Sequence, residues 1–336
     1  MHGVHAAVQN GRVHPVNPVT AGQRSISVCL IDPRGSGSVG PMPANVELAP
    51  WPAENPAQAQ VLARIEMAVV ADAGRRSFLA AIDQMTGLRV VQATSAGVDW
   101  MAGRMPHGVL VHNARGVFDG PLAEWVVGAI LAMDRGLLLA RDAQATAVWR
   151  GFMPPREVAG AEVVILGQGS IGSAAAERLR ALGAHVTGVG RSAREGMAGI
   201  ADLAQLLPAA DVLVNMLPLT RETVGLVDAR LLSLLPDGAL IVNAGRGRTT
   251  VTAALVSELA SGRLRAVLDV TDPEPLPTGH PLWAMPNVLI TPHNAGDSPA
   301  SIGRSFALAA DQIRRYAAGE PLLNAVAPHL LEAIGG

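Results

Sequence analysis

The chain has 336 residues, enough at about 150 per domain for two domains with real cores, and 26 basic against 28 acidic residues leave a formal net charge of −2, without the cationic footprint of a nucleic-acid binder. Apolar residues make up 49% and charged residues 16%, which excludes disorder by composition. Every basic side chain is arginine; the absence of lysine removes the P-loop lysine, the kinase ATP lysine and Schiff-base catalysis together.

Residues 1–24 carry Arg12 and Arg24 but no apolar signal core, and read as a flexible cytoplasmic extension. No acid precedes Asp32, so a transit peptide is the alternative. The single cysteine, Cys29, can form no internal disulfide, which points to a reducing compartment. Its place in the apolar run 26–31 marks it as a core thiol rather than a nucleophile. The most apolar run, 125–133, is closed by Glu124 and Asp134, far short of the roughly twenty residues of a membrane span, and no membrane partner is expected.

Short β-rich runs alternate with helical patterns, as in α/β chains with parallel sheets built from crossover units. Strands at 26–31, 67–71, 88–93 and 109–112, with helices near 57–65 and 77–85, make a first doubly wound unit. An apolar helix over 122–140 leads into six strands, at 162–166, 185–189, 211–215, 239–243, 265–270 and 288–290, which match a dinucleotide-binding sheet. A last helix runs from Ser298 as N-cap and Pro299 at its first position to about 318.

Gly167-Gln168-Gly169-Ser170-Ile171-Gly172 follows an apolar strand and opens a helix. The first glycine permits a tight turn, the second lets the backbone approach a pyrophosphate, and the third lets the helix pack on the sheet. The helix N-terminus then turns free N–H groups toward the phosphates. A glycine triplet alone is weak evidence; the strand, helix and next strand at the correct spacing give it weight. That next strand ends at Gly190 without the Asp or Glu that accepts from the ribose 2′-hydroxyl of NAD, and Arg191, Ser192 and Arg194 follow instead. Two arginines suit a 2′-phosphate, so NADP(H) is the expected preference with NAD(H) possible; two solvated loop arginines are the ordinary alternative.

Polar residues also stand at three further strand ends, where open parallel sheets bind ligands: Arg246 after 239–243, Glu274 after 265–269 and His293 after 288–290. Singly, each has an ordinary reading, as a loop charge, a proline-flanked turn acid and a strand cap. Together, behind a dinucleotide fold, they form a constellation.

Leu217-Pro218-Leu219-Thr220 with Thr223, Val242-Asn243-Ala244-Gly245-Arg246-Gly247, Leu268-Asp269-Val270 with Glu274-Pro275-Leu276, Pro281-Leu282-Trp283 and Thr291-Pro292-His293 resemble the D-isomer-specific 2-hydroxyacid dehydrogenase family. Ser95-Ala96-Gly97-Val98-Asp99 and Ala123-Glu124 extend the likeness over about 25–325 in the right order. The resemblance implies two Rossmann-like doubly wound domains with the active site in the cleft between them: a substrate-binding domain of 25–114 plus 297–332 and an NAD(P)-binding domain of 115–296. It implies that Arg246 binds the 2-oxo acid carboxylate, that His293 protonates the carbonyl oxygen, and that Glu274 holds the imidazole in its protonated form. The N–H groups of Ala96 and Gly97 would complete the carboxylate cradle. Leu217, Pro218, Thr223 and Ala244 would line the cofactor, with Asp269 and His293 at its nicotinamide end.

Within the family, Glu274 in place of glutamine argues against formate dehydrogenase, and the missing lysine against phosphite dehydrogenase. The Gly-Arg-Ser-Ala-Arg stretch is similar to NADP-preferring glyoxylate and hydroxypyruvate reductases, so a small 2-oxo acid is the expected substrate. The C-terminal-binding corepressors share the same Arg, Glu and His, which makes a non-enzymatic NAD(H)-sensing, partner-binding protein the alternative. The apolar 122–140 helix suits a core position or a subunit contact, and family likeness favours a homodimer.

Overall fold

The computed structural model describes residues 6–9, 12–15, 25–32, 39–51, 59–149 and 155–334. The chain divides into two compact units, Met1–Arg115 with Ile302–Ala333, and Gly116–Ser301 with Ile334–Gly336. Within the segment read as a flexible extension, β1 (Ala6–Gln9) and β2 (Arg12–Pro15) pair antiparallel. The rest of 1–24 lies outside the described residues.

The first unit is built on a five-stranded parallel sheet of β3 (Ile26–Ile31), β4 (Val46–Ala49), β5 (Met67–Val70), β6 (Val90–Ala93) and β7 (Leu110–His112), in the order β4-β3-β5-β6-β7. Alternate residues serve opposite faces: Cys29, Ile31, Ala68, Val70 and Val91 enter one core, Val28, Leu30, Met67, Val69 and Val90 the other. Edge strand β4 was not expected, because four residues bounded by Pro43 and Pro50 are too short to show a period. Two helices differ from expectation: α1 (Ala59–Leu62), which opens a described segment, ends at Leu62 rather than near 65, and α2 (Arg75–Ala81) starts early and tightens into a 3₁₀ turn over Ile82–Gln84. Cys29 is fully buried, and desolvation pushes its thiol up to about 12.

The second unit opens with α3 (Asp119–Asp134) and α4 (Leu137–Ala145). These replace the single expected helix, because Gly136 adopts φ 68 and ends the first helix in the left-handed conformation that glycine tolerates. Helix α3 buries Ala123, Val126, Ala129 and Ile130 against α5 (Ser170–Ala181). Seven parallel strands follow in the order β10-β9-β8-β11-β12-β13-β14. They are β8 (Glu162–Leu166), β9 (His185–Gly190), β10 (Ala198–Gly199), β11 (Val212–Asn215), β12 (Leu240–Asn243), β13 (Arg265–Leu268) and β14 (Val288–Ile290). Two-residue β10 is the strand missed. Between strands lie α6 (Leu203–Leu206), α7 (Ala229–Leu234) and α8 (Thr252–Ala260). Val163, Ile165 and Leu240 face the α3/α5 layer, whereas Val164, Leu166 and Ile241 face α6, α7 and α8. Because all seven strands are parallel, the loops after β8, β9, β11, β12, β13 and β14 emerge on one side of the sheet.

The last helix, α9 (Pro299–Ala318), begins where expected. Ser301 N donates to Ser298 Oγ (3.0 Å), and Ser298 N to Ser301 Oγ (2.9 Å), a reciprocal cap. In the first unit, its Phe306, Ala309, Ala310, Ile313 and Ala317 cover the core face of Val28, Leu30 and Val69.

Candidate active site

The glycine loop sits at the carboxyl end of β8. Gly167 has φ 86, and a Cβ there would lie 2.8 Å from the Met216 carbonyl oxygen; a Cβ at Gly172 would lie 2.7 Å from the Gly167 oxygen. Both glycines are thus demanded by the chain's own packing. A Cβ at Gly169 would meet nothing within 4 Å, so only an external group approaching the loop would require a glycine there. Gly169 caps α5, whose first residues Ser170 and Ile171 offer N–H groups, and Ser170 Oγ donates to Asp119 Oδ1 (3.1 Å). This open cradle at a helix N-terminus fits a dinucleotide pyrophosphate. Beyond β9, Arg191, Ser192 and Arg194 are exposed on a turn closed by the Arg194–Met197 backbone pair (2.9 Å). Among the described residues, neither arginine has an acidic partner.

The loops after β11 and β12 are locked to each other. Asn215 Nδ2 donates to Thr249 Oγ1 (2.8 Å), and its Oδ1 accepts from Leu217 N (3.2 Å). Asn243 Oδ1 accepts from Gly245 N (3.1 Å), and its Nδ2 donates to the Arg246 carbonyl (3.3 Å). Thr249 Oγ1 donates to that same carbonyl (2.6 Å). All three side chains are buried. Ala244 is tied to Asn215 O (3.1 Å), and Pro218 O accepts from Thr223 Oγ1 (2.6 Å). Half-buried Arg246 leaves this frame and donates through Nη1 to Gly245 O (2.7 Å).

The loops after β13 and β14 bring Glu274 and His293 together: His293 Nδ1 lies 2.6 Å from Glu274 Oε1. That bond raises the imidazole above its ordinary value, against burial and the positive charge of Arg246, with further help from the charges of Glu274 and Asp269. The same bond holds the Glu274 carboxyl below its ordinary value, against burial. With Nδ1 engaged, Nε2 is the nitrogen available to a substrate. His293 itself sits at φ 52, an uncommon conformation for a residue with a Cβ. The loop is held there by Asp269, whose buried carboxylate accepts from Thr291 Oγ1 (2.6 Å), Asn294 N (3.0 Å) and Ala295 N (3.0 Å). Both oxygens expected to face a nicotinamide are therefore engaged in the turn that carries the histidine.

In the first unit, Ala96 and Gly97 follow β6. Ser95 Oγ donates to Gly97 O (2.8 Å) and Asn113 Nδ2 to Ala96 O (2.8 Å). Among the described residues, the N–H groups of Ala96 and Gly97 have no internal acceptor. Sequence reasoning missed Asn215 and Thr249, whose only signal is a lone polar residue at the end of an apolar strand or in the turn behind it, and quoted Asn243 within a motif without giving it a role.

Residues 127–295 match the family described as D-isomer specific 2-hydroxyacid dehydrogenase, NAD binding domain. The chain belongs to the D-isomer-specific 2-hydroxyacid dehydrogenase family. It is 32% identical over 259 residues to glyoxylate/hydroxypyruvate reductase A of Klebsiella pneumoniae, covering 72% of this chain and 81% of that one. With glyoxylate reductase of Aeropyrum pernix it shares 34% identity over 263 residues, 73% of this chain and 78% of the relative. Among solved 2-hydroxyacid dehydrogenase structures, an NADPH-dependent glyoxylate/hydroxypyruvate reductase from Sinorhizobium meliloti in complex with NADP and sulfate superposes with a TM-score of 0.76 at 31% identity. That match covers 90% of this chain and 98% of the other. Like the family at large, this 2-hydroxyacid dehydrogenase is an oxidoreductase with two parallel-sheet α/β domains. Among its described residues no helix is long and apolar enough to cross a membrane.

Proposed function

We propose that this enzyme reduces a small 2-oxo acid, glyoxylate or hydroxypyruvate, to the 2-hydroxy acid with NADPH as preferred reductant and NADH as a possible one. The observation that carries the reading is the 2.6 Å Glu274–His293 pair beside Arg246, at the same sheet edge as the glycine loop. A bound reduced nicotinamide supplies hydride to the carbonyl carbon. The protein's own groups do the rest. Arg246 presents a planar fork that matches the substrate carboxylate and draws electron density from the adjacent carbonyl. Within the first unit, the N–H groups of Ala96 and Gly97, which have no internal acceptor among the described residues, are donors suited to a carboxylate. His293 gives its Nε2 proton to the carbonyl oxygen, and Glu274, bonded to Nδ1, stabilises the imidazolium before that transfer.

The dinucleotide site comprises Gly167, Gly169, Ser170, Ile171 and Gly172, with Leu217, Pro218, Thr223 and Ala244 along its floor and Asp269 and His293 at its nicotinamide end. Arg191, Ser192 and Arg194 are the 2′-phosphate contacts, a role supported by their exposure and by the lack of acidic partners among the described residues. We also propose a homodimer, on the exposed apolar side chains Leu137, Val148 and Trp149; a monomer mass by light scattering would overturn it. The buried single thiol of Cys29 supports a cytoplasmic location.

The deciding experiment follows consumption of reduced nicotinamide over glyoxylate, hydroxypyruvate, pyruvate, phenylpyruvate and 2-oxoisovalerate, with NADPH and NADH in parallel. Turnover of glyoxylate and hydroxypyruvate with NADPH is expected. Turnover confined to the bulky acids would overturn the substrate class, and turnover with NADH alone the arginine role.

A further inference from the structure

Gln168 occupies the second position of the glycine loop, and its amide oxygen is buried without a hydrogen-bond partner among the described residues. Buried acceptors are normally satisfied, so an orphan in a ligand-facing loop needs an explanation. The neighbouring strand makes room for it. A Cβ on Gly188 would coincide with Gln168 Oε1, so the amide rests on β9 at a position with no side chain. The loop's main chain is tied to the same strand, since Gly167 N and Gln168 N both donate to Val189 O (2.9 and 3.4 Å). Two residues past Gly188 that strand ends, at Gly190, and no acid stands there to accept from the adenosine ribose.

We infer that Gln168 supplies the missing acceptor: its amide oxygen takes a hydrogen bond from the ribose 3′-hydroxyl on the adenosine side of the bound dinucleotide. The inference rests on the cofactor reading above and deepens it. Arg191 and Arg194 claim the 2′ position on that reading, which leaves the 3′-hydroxyl, common to NADH and NADPH, for the neighbouring acceptor. A carboxylate at this place would repel a 2′-phosphate, whereas a neutral amide does not. Ribose positioning and phosphate recognition are thereby assigned to different elements, Gln168 with Gly188 for the first and the arginine turn for the second.

The test measures dissociation constants for NADPH and NADH by fluorescence titration of the full-length protein, for the parent, Gln168→Ala, Gln168→Glu, Gly188→Ala and the Gln168→Ala/Gly188→Ala double variant. Melting temperatures confirm that each is folded. Loss of one net hydrogen bond predicts that Gln168→Ala weakens both cofactors alike, by about 2- to 12-fold. Gly188→Ala, by displacing the amide, should weaken both similarly and add nothing in the Gln168→Ala background. Gln168→Glu keeps the acceptor and adds a charge, so it should hold NADH near the parent value and lose NADPH. A loss confined to NADPH in Gln168→Ala would make the amide a phosphate donor, and a loss confined to NADH would place it on the 2′-hydroxyl; either overturns the inference. Parent-like binding by Gln168→Ala overturns it while leaving the cofactor reading intact. A parent that binds neither dinucleotide overturns both.

Discussion

Replacing Asp269 by alanine is the most informative single change in the second unit. The carboxylate is 3% exposed and serves three donors: Thr291 Oγ1, Asn294 N and Ala295 N. A buried donor left without its partner costs about 1–3 kcal/mol. Ala295 is buried, so its N–H bears that cost in full, about 2 kcal/mol, while the partly exposed Thr291 and Asn294 can turn to water and lose about 0.5–1 kcal/mol each. Against this, release of His293 from φ 52 returns about 1 kcal/mol of backbone strain. The balance is a destabilisation of about 2–3 kcal/mol, read as a lower urea midpoint at unchanged slope. The same relaxation moves the imidazole away from Glu274, so kcat for reduction should fall toward the roughly 10²- to 10⁴-fold loss expected when a general acid is removed. Asp269→Asn, which retains one accepting oxygen, should fall between. An Asp269→Ala protein with the parent midpoint and only a raised KM for the cofactor would refute this reasoning and limit the carboxylate to its nicotinamide contact.

Three further outcomes are expected. Because the bond to Glu274 raises the imidazole, and because the proposed proton transfer needs the protonated form, activity should be present below the His293 pKa and lost as pH rises through it. Glu274→Gln removes that support, so the alkaline limb of the kcat profile should move to lower pH; an unmoved limb would separate Glu274 from proton transfer. Arg246→Ala should raise KM for the 2-oxo acid and lower kcat together, and an effect on KM alone would limit Arg246 to ground-state binding. The double change Arg191→Ala with Arg194→Ala should weaken NADPH and spare NADH; equal losses would remove the 2′-phosphate role.

Much of this architecture can be read from the chain because its signals are local. The glycine loop announces itself through residues whose Cβ would strike neighbouring backbone, and Ser298-Pro299 opens α9 through a cap contained in four residues. Other features depend on what folding brings near. The break at Gly136 is masked by apolar residues on both sides, Leu131 before it and Leu137, Leu138 and Leu139 after. Strands β4 and β10 are too short to carry a period. Asp269, an acid behind an apolar strand, suggests a ligand contact; its donors arrive only when the segment 291–295, more than twenty residues later, folds back over it. Asn215 and Asn243 look like strand terminators until their amides are seen to bind the turn that bears Arg246.

The Asn215–Thr249 bond bears on how such an enzyme can be recombined. A Cβ at Gly245 would lie 2.7 Å from Leu217 O, and the Asn215 amide needs the Thr249 hydroxyl, so the segments around 217 and 245 form one interlocked piece. A chimaera whose imported arginine-bearing turn lacks Gly245 and Thr249 would strand the buried Asn215 amide and force two backbones apart. The smallest transplantable block therefore runs from the start of β11 through Thr250, and productive crossovers belong in the helices on either side of it.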